Sequence, residues 1–243
     1  SAGSDTVGVR VPRHPVALAL LRAADVPVAA PSANRFMHTS PTTAAHVLAD
    51  LDGLIDCLLD AGPCAVGLES TVLDLTSEPP RVLRPGGVAL EELRMLVPEV
   101  RSPQTTTAEI AESREKPALA PGQMERHYAP RARLVVFDGS GAPALAAMRA
   151  EAVAALARGE RVGALLADDE TVPFEGLPVT LVTLGMSSDL AAISRTLYTA
   201  LRDLDELGLD LLLAHTFGTE GLGLALWDRL RRAAGGTLRN VER

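Results

Sequence analysis

The feature that most constrains the fold is a regular alternation of strand and helix patterns from Arg133 to the end of the chain. Short apolar runs over 134–137 and 162–167 predict buried strands, and longer segments over 144–157 and 190–207 predict helices. Further predicted elements are strands over 179–184 and 209–214 and a helix over 223–234. Such alternation favours parallel strands joined by helical crossovers. The sequence therefore predicts a small parallel sheet with helices on both faces.

The first half of the chain places polar loops next to predicted strands. Strands are predicted over 6–11, 26–30, 55–59, 71–75 and 81–84, and helices over 14–24, 42–51 and 90–96. The loop 30–34 leaves a predicted strand, and Ser40 and Pro41 are suited to begin the following helix. A strand end, a polar loop and a free helix N-terminus commonly bind an anion at the edge of an α/β sheet. An ordinary strand-to-helix connection is the alternative for this stretch taken alone.

Three loops of the first half, over 32–40, 69–71 and 84–86, together offer hydroxyl, amide and guanidinium groups. With Arg10 added, these groups are suited to binding phosphates and carboxylates. They do not build a Ser-His-Asp triad or a metal cage. We expect the loops to converge at adjacent strand ends. Glu69 is open to two interpretations, since it could hold a metal or a positive charge, or cap a helix or turn.

The composition excludes several other classes of protein. The 243 residues suffice for one large or two ordinary domains, and the net charge of −8 argues against a broad nucleic-acid-binding face. Cys57 and Cys64 show neither metal-type nor secreted-disulfide spacing, so we expect buried thiols in a reducing compartment. No apolar run approaches the ~20 residues of a membrane span. We therefore expect a soluble, cytoplasmic protein without a membrane or DNA partner.

Six segments occur in an order that is similar to a known enzyme family. They are TVGVRVP at 6–12, APSAN at 30–34, SPTTA at 40–44, GLEST at 67–71, LRPG at 83–86 and RHYAP at 126–130. This set resembles the two-domain threonylcarbamoyl-AMP synthases, which are YrdC-type enzymes with an extra C-terminal domain. Segments 198–208 and 221–234 resemble that extra domain, so the resemblance runs from about residue 5 to the end.

The resemblance implies a nucleotidyltransferase that converts L-threonine, bicarbonate and ATP, with Mg²⁺, to threonylcarbamoyl-AMP and pyrophosphate. Other enzymes would then transfer the threonylcarbamoyl group to an adenosine of certain tRNAs, so tRNA is an indirect partner. Matching positions imply ATP-binding roles for Thr6, Ser32, Ser40, Arg84 and Tyr128. They imply L-threonine-binding roles for Arg10, Ala30 and Ser70. No residue is assigned as a nucleophile or a metal ligand.

The implied fold is α/β, with part of a YrdC-type twisted mixed sheet followed by a smaller Rossmann-like parallel domain. We divide the chain into the C-terminal half of the catalytic domain over 1–101, a linker arm over 102–131 and the accessory domain over 132–243. Prolines and a polar run mark the arm, which the resemblance places over the site. The resemblance also implies a preceding segment whose Lys and Arg residues grip the triphosphate. We therefore expect this chain to hold part of the catalytic domain, and its activity in isolation is left open.

Two other functions are left open by the residues alone. One is a nucleotide- or RNA-binding module without catalysis, although the net charge of −8 disfavours RNA because phosphate neutralisation dominates such affinity. The other is a carbamoyl-transfer relative with a different acceptor, which the arm and the C-terminal domain disfavour. Pyrophosphate release that requires both L-threonine and bicarbonate distinguishes the synthase from both alternatives.

Overall fold

The computed structural model describes residues 5–36, 38–103, 129–235 and 238–241. In chain order the elements are α1 (Pro15–Ala24), α2 (Ala44–Leu51), β1 (Val72–Asp74), β2 (Arg81–Arg84), α3 (Leu90–Leu96), β3 (Arg133–Asp138), α4 (Gly141–Ala157), β4 (Val162–Leu166), β5 (Thr180–Thr183), α5 (Leu190–Glu206), β6 (Leu211–His215), α6 (Gly223–Ala233) and β7 (Arg239–Asn240). Short 3₁₀ turns, Asp168–Glu170 and Val172–Phe174, lie between β4 and β5. Within the described ranges, no helix combines the length and the apolar character that a bilayer crossing demands.

The C-terminal half is built on a parallel sheet of five strands in the order β5-β4-β6-β3-β7. Strands β4 and β6 are buried along their whole length, because helices cover both faces of the sheet. On one face, Met148 and Ala152 of α4 share a core with Leu213 of β6. On the other face, Leu201 of α5 and Leu226 of α6 belong to a second core. The predicted parallel sheet with helices on both faces is confirmed.

The first half contains less regular structure. Strands β1 and β2 form an antiparallel pair. Val82 of β2, Leu90 of α3 and Val100 form a small core, and Leu224 of α6 is part of the same cluster. The two halves of the chain therefore share buried apolar surface.

Three strands predicted in the first half, over 6–11, 26–30 and 55–59, are not strands in the structure. Most of their large apolar side chains are exposed. A strand forms where a neighbouring backbone completes its hydrogen bonds, and within the described ranges these segments have no paired strand. The expectation of buried thiols is also wrong, because Cys57 and Cys64 are exposed. The other helices and strands predicted in the first half are present at or close to their expected bounds. The expectation that Ser40 and Pro41 begin the second helix is wrong, because α2 begins at Ala44 and Thr43 is its N-cap.

Two glycines allow unusually close contact with the segment 67–71. Gly67 has a φ of 80°, and a Cβ at this position would lie 2.2 Å from the carbonyl oxygen of Ser194 in α5. A Cβ at Gly86 would lie 2.2 Å from the carbonyl oxygen of Glu69. Since packed atoms do not approach so closely, neither position has room for a side chain. The segment is thus held between α5 and the loop that follows β2.

We expect Gly67→Ala to destabilise the protein more than Gly62→Ala does. The two glycines have similar positive φ values of 80° and 84°, so alanine is strained at both positions. A Cβ at Gly62 would meet nothing within 4 Å, whereas a Cβ at Gly67 would collide with the backbone of α5. Overpacking of this kind costs about 1–3 kcal/mol. Thermal unfolding of the two variants measures the difference, and equal midpoints would show that the segment does not pack closely on α5.

Candidate functional site

The site is organised around Glu69, which lies just before β1. Ser40 Oγ donates a hydrogen bond to its Oε1 at 2.7 Å. The hydroxyl of Tyr198 in α5 lies 3.1 and 3.0 Å from the two carboxylate oxygens and donates to them. Nε of Arg229 in α6 donates to Oε2 at 2.6 Å. Side chains from three distant parts of the chain therefore form hydrogen bonds with one carboxylate.

Arg229 is itself fixed by several contacts. Its side chain is 1% exposed, and its guanidinium donates to Asp228 through Nη1. Nη2 donates to the carbonyl oxygen of Pro85 at 3.0 Å. Because a guanidinium presents its donors in a rigid plane, Arg229 connects Glu69 of one loop with Pro85 of another. Asp228 also accepts a hydrogen bond from Arg232 at 2.9 Å, which adds another cation beside this carboxylate.

The charge of Glu69 follows from these contacts. Burial by itself would raise the pKa of this carboxyl group, because the anion loses hydration. The Arg229 guanidinium and the Ser40 hydroxyl outweigh burial and lower the pKa of Glu69 from 4.5 to about 2. Glu69 is therefore an anion at neutral pH. The sequence left open whether Glu69 holds a metal or a positive charge, or caps a helix or turn. In the structure Glu69 pairs with the positive charge of Arg229.

Two predicted ligand residues lie directly beside Glu69. Arg84 of β2 is 7% exposed, and its Nη2 donates to the Ser70 carbonyl oxygen at 2.7 Å. The same nitrogen lies 3.5 Å from Ser70 Oγ. The backbone N–H of Gly87 donates to the Glu69 carbonyl oxygen at 3.0 Å. The structure thus brings Ser40, Ser70 and Arg84 together around Glu69.

A second contact joins Arg10 and Ala30. Nη2 of Arg10 donates to the carbonyl oxygen of Ala30 at 3.0 Å, and both residues are exposed. Ser32 and Thr6 are exposed in the same two stretches of chain. Within the described part of the chain, Ser32 does not belong to the hydrogen-bond network of Glu69. The predicted site residues therefore fall into two groups, one fixed around Glu69 and one at the surface.

Tyr128 and most of the linker arm predicted over 102–131 lie outside the described residues. The domain bounds and the roles of the individual ATP- and threonine-binding residues stay predictions. Within the described ranges, no group of three or more His, Cys, Asp or Glu residues could hold a metal ion.

The partners that the C-terminal half supplies to Glu69 could not be predicted from the sequence. Tyr198 and Arg229 lie 129 and 160 residues from Glu69, so no local pattern identifies the contacts. Arg202 of α5 makes a similar long-range contact, donating to Asp50 Oδ2 at 2.7 Å. The available signal is helical periodicity, since Tyr198 and Arg229 each lie three residues from a core leucine of their helix. That signal places them on a buried face but does not identify a partner.

Comparison with known proteins identifies the family. The family model described as "Threonylcarbamoyl-AMP synthase, C-terminal domain" matches residues 88–235, and the one described as "Telomere recombination" matches residues 1–86. The threonylcarbamoyl-AMP synthase of Bacillus subtilis (strain 168) is 38% identical over 241 residues, and that of Pyrococcus abyssi (strain GE5 / Orsay) is 37% identical over 238 residues. Each alignment covers 97% of this chain, but 65% and 66% of the respective relatives. The chain thus spans just under two thirds of their length.

Solved structures agree with the sequence comparison. The crystal structure of P. abyssi Sua5 complexed with L-threonine matches with a TM-score of 0.85 at 36% identity, covering 99% of this chain and 67% of that chain. A variant of P. abyssi Sua5 matches with a TM-score of 0.83 at 35% identity. The five-stranded parallel sheet and the two-stranded antiparallel pair, each with its helices, define an α/β protein in two parts. The chain belongs to the threonylcarbamoyl-AMP synthase family, which confirms the resemblance recognised in its sequence.

We expect the free energy of unfolding to fall as the pH is lowered from about 4.5 towards 2, partly through Glu69. Because the folded-state pKa of about 2 lies below the ordinary value of 4.5, the stabilisation is present above 4.5 and is lost on protonation. Glu69→Gln removes this titration and an anionic partner of Arg229. The loss of one partner from a buried ion pair costs at most about 3–5 kcal/mol. The variant should therefore be less stable than wild type near neutral pH, and the difference should shrink in acid.

Urea unfolding across this pH range checks the expectation, with Glu160→Gln as the control. Glu160 also pairs with an arginine, accepting from Arg158 Nε at 2.6 Å, but this pair lies at the surface. Its removal should change stability far less, because solvent screens exposed ion pairs. A stability difference between wild type and Glu69→Gln that is constant with pH would contradict the charge assigned to Glu69.

Proposed function

We propose that the protein to which this chain belongs is a threonylcarbamoyl-AMP synthase. It converts L-threonine, bicarbonate and ATP to threonylcarbamoyl-AMP and pyrophosphate. The observation that carries the proposal is the TM-score of 0.85, over 99% of the chain, with a P. abyssi Sua5 structure complexed with L-threonine. Relatives that are 37% and 38% identical and carry the name threonylcarbamoyl-AMP synthase support the same activity.

In this proposal L-threonine is bound by Arg10, Ala30 and Ser70. The exposed guanidinium of Arg10 uses Nη2 to contact the Ala30 carbonyl at 3.0 Å. Since a guanidinium has five N–H donors in a fixed plane, further donors can bind the threonine carboxylate. The Ser70 loop is held by Arg84 through the Ser70 carbonyl, so its exposed hydroxyl is presented in a fixed position. Pre-ordered donors bind charge without reorganisation.

ATP, with its Mg²⁺, is bound by the residues that the resemblance assigned, namely Thr6, Ser32, Ser40, Arg84 and Tyr128. The Ser40 hydroxyl donates a hydrogen bond to Glu69, so we assign the backbone N–H of Ser40 to the nucleotide. This group lies shortly before α2, where peptide dipoles favour a bound anion. Arg84 adds a positive charge beside the Ser70 loop.

The chemistry requires mainly positioning and charge neutralisation. The threonine amine attacks the carbon of bicarbonate, and loss of water leaves a carbamate. An oxygen of the carbamate attacks the α-phosphorus of ATP, and pyrophosphate leaves with the electron pair of the broken bond. Neither step requires a protein nucleophile, so hydroxyl and guanidinium groups suffice. The mixed anhydride is reactive, and we assign its consumption to separate enzymes that modify tRNA in the cytoplasm.

Pyrophosphate release tests the proposed function in the complete gene product that contains this chain. We expect release to require ATP, L-threonine and bicarbonate together, because each supplies atoms to the products. Omission of any one substrate should reduce release to background. Release that does not depend on L-threonine would contradict the proposal. Binding of ATP without any release would favour the non-catalytic nucleotide-binding module instead.

Arg10→Ala and Arg13→Ala are matched variants for the same assay. Both arginines are exposed, and Arg13 has no predicted role in binding. We expect Arg10→Ala to raise the KM for L-threonine about tenfold or more, with a smaller effect on the KM for ATP. Arg13→Ala should leave both values close to wild type. An equal rise of both KM values in Arg10→Ala would refute the role assigned to Arg10.

A further inference from the structure

Glu69 connects the residues assigned to the two substrates. Its carboxylate accepts a hydrogen bond from Ser40, which is assigned to ATP, at 2.7 Å. The next residue in the chain is Ser70, which is assigned to L-threonine and whose carbonyl oxygen is held by Arg84 at 2.7 Å. A displacement of this one acid would therefore move groups assigned to both substrates.

Helix α6 fixes Glu69 through Arg229. Nε of Arg229 lies 2.6 Å from the carboxylate, and Nη2 lies 3.0 Å from the Pro85 carbonyl oxygen. Pro85 directly follows Arg84 in the chain. The guanidinium plane therefore holds the loops of Glu69 and Arg84 at a set separation. A lysine ammonium group is a single point charge and cannot reproduce this two-sided contact.

Helix α5 adds Tyr198, which is 1% exposed and whose hydroxyl lies 3.1 and 3.0 Å from the Glu69 oxygens. The neighbouring Thr199 also joins α5 to the first half, since its Oγ1 lies 3.0 Å from Thr42 Oγ1. Of these two adjacent residues, Tyr198 is the one that reaches Glu69. Substitutions at these two positions can therefore distinguish the loss of the Glu69 contact from the loss of a different contact between the two halves.

We propose that Arg229 and Tyr198 are positioning residues for both substrates, because by holding Glu69 they set the separation of the ATP-binding and threonine-binding loops. The inference rests on the proposed function, since it concerns the same site. It gives the C-terminal half a part in substrate binding, although neither residue is itself assigned to a substrate.

A positioning contact and a purely structural contact have different kinetic effects. Partial loss of the folded protein reduces the amount of active enzyme and so lowers the apparent kcat. The KM of the remaining folded molecules does not change. Displaced substrate-binding loops instead weaken binding in every molecule and raise KM. The KM values for ATP and L-threonine therefore distinguish the two roles.

The test measures both KM values by pyrophosphate release in the complete gene product carrying Tyr198→Phe, Arg229→Lys or Thr199→Val. Tyr198→Phe removes one hydroxyl and keeps the ring, and Arg229→Lys keeps the charge and removes the planar fork. We expect each of these two variants to raise the KM for both substrates by about tenfold, since each loses a hydrogen bond to a buried charge. Thr199→Val removes one hydroxyl at the adjacent position and should leave both KM values within about twofold of wild type.

Unchanged KM values in Tyr198→Phe and Arg229→Lys, with a lower kcat alone, would overturn the positioning role. If Arg229→Lys does not fold, Tyr198→Phe decides the question. A rise of both KM values in Thr199→Val equal to that in Tyr198→Phe would also overturn it, because any contact between the halves would then suffice. A wild-type protein that releases no pyrophosphate with L-threonine and bicarbonate refutes the proposed function, and the positioning role with it. Active wild type with unaffected variants refutes the positioning role alone.

Discussion

The central contact of the candidate site is the ion pair between Glu69, before β1, and the buried Arg229 of α6, at 2.6 Å. Removing two charges from water costs several kcal/mol per ion, and the cost is offset where the charges pair and their remaining groups are hydrogen-bonded. Here Ser40 and Tyr198 supply the additional hydrogen bonds to the carboxylate. Because these partners come from both halves of the chain, the anion is stabilised when the two halves are packed together.

Backbone packing restricts the same short segment. Gly67 leaves no space against α5, and Gly86 leaves none against the backbone of Glu69. Leu224 of α6 packs in the small core of the first half with Val82. The ion pair of Glu69, the close backbone contacts of the two glycines and the apolar contact of Leu224 thus fix neighbouring parts of the chain. The position of the segment 67–71, which includes Ser70, is therefore fixed by contacts with the C-terminal half as well as by its own loop.

The C-terminal sheet could be predicted from the sequence because each of its elements carries its own signal. The segment Leu211–His215 is buried throughout, and its apolar run is what a strand covered on both faces requires. The segments over 6–11 and 26–30 show similar local patterns, but a local pattern cannot supply the neighbouring strand that a ladder needs. The strand predictions were therefore correct where the described chain supplies a pairing strand, as it does for β6, and wrong for these two segments.

The candidate site was predictable to a smaller extent. The residue types of the polar loops indicated that these loops bind phosphates or carboxylates. The family resemblance supplied the roles of individual residues, such as L-threonine binding by Arg10 and Ser70. The contact of Glu69 with Arg229 spans 160 residues and joins a loop of the first half to a helix of the C-terminal half. Periodicity can place Arg229 on a buried face, but the identity of its partner depends on how the two halves pack.

The most direct measurement of the central claim is a double-mutant cycle between Glu69 and Arg229. It compares the free energies of unfolding at neutral pH of wild type, Glu69→Gln, Arg229→Met and the double variant. The account predicts a coupling energy of at least about 1 kcal/mol, because either single variant leaves its partner buried without the contact. Additive effects, with a coupling energy near zero, would contradict the claim that this pair holds the two halves together around the site.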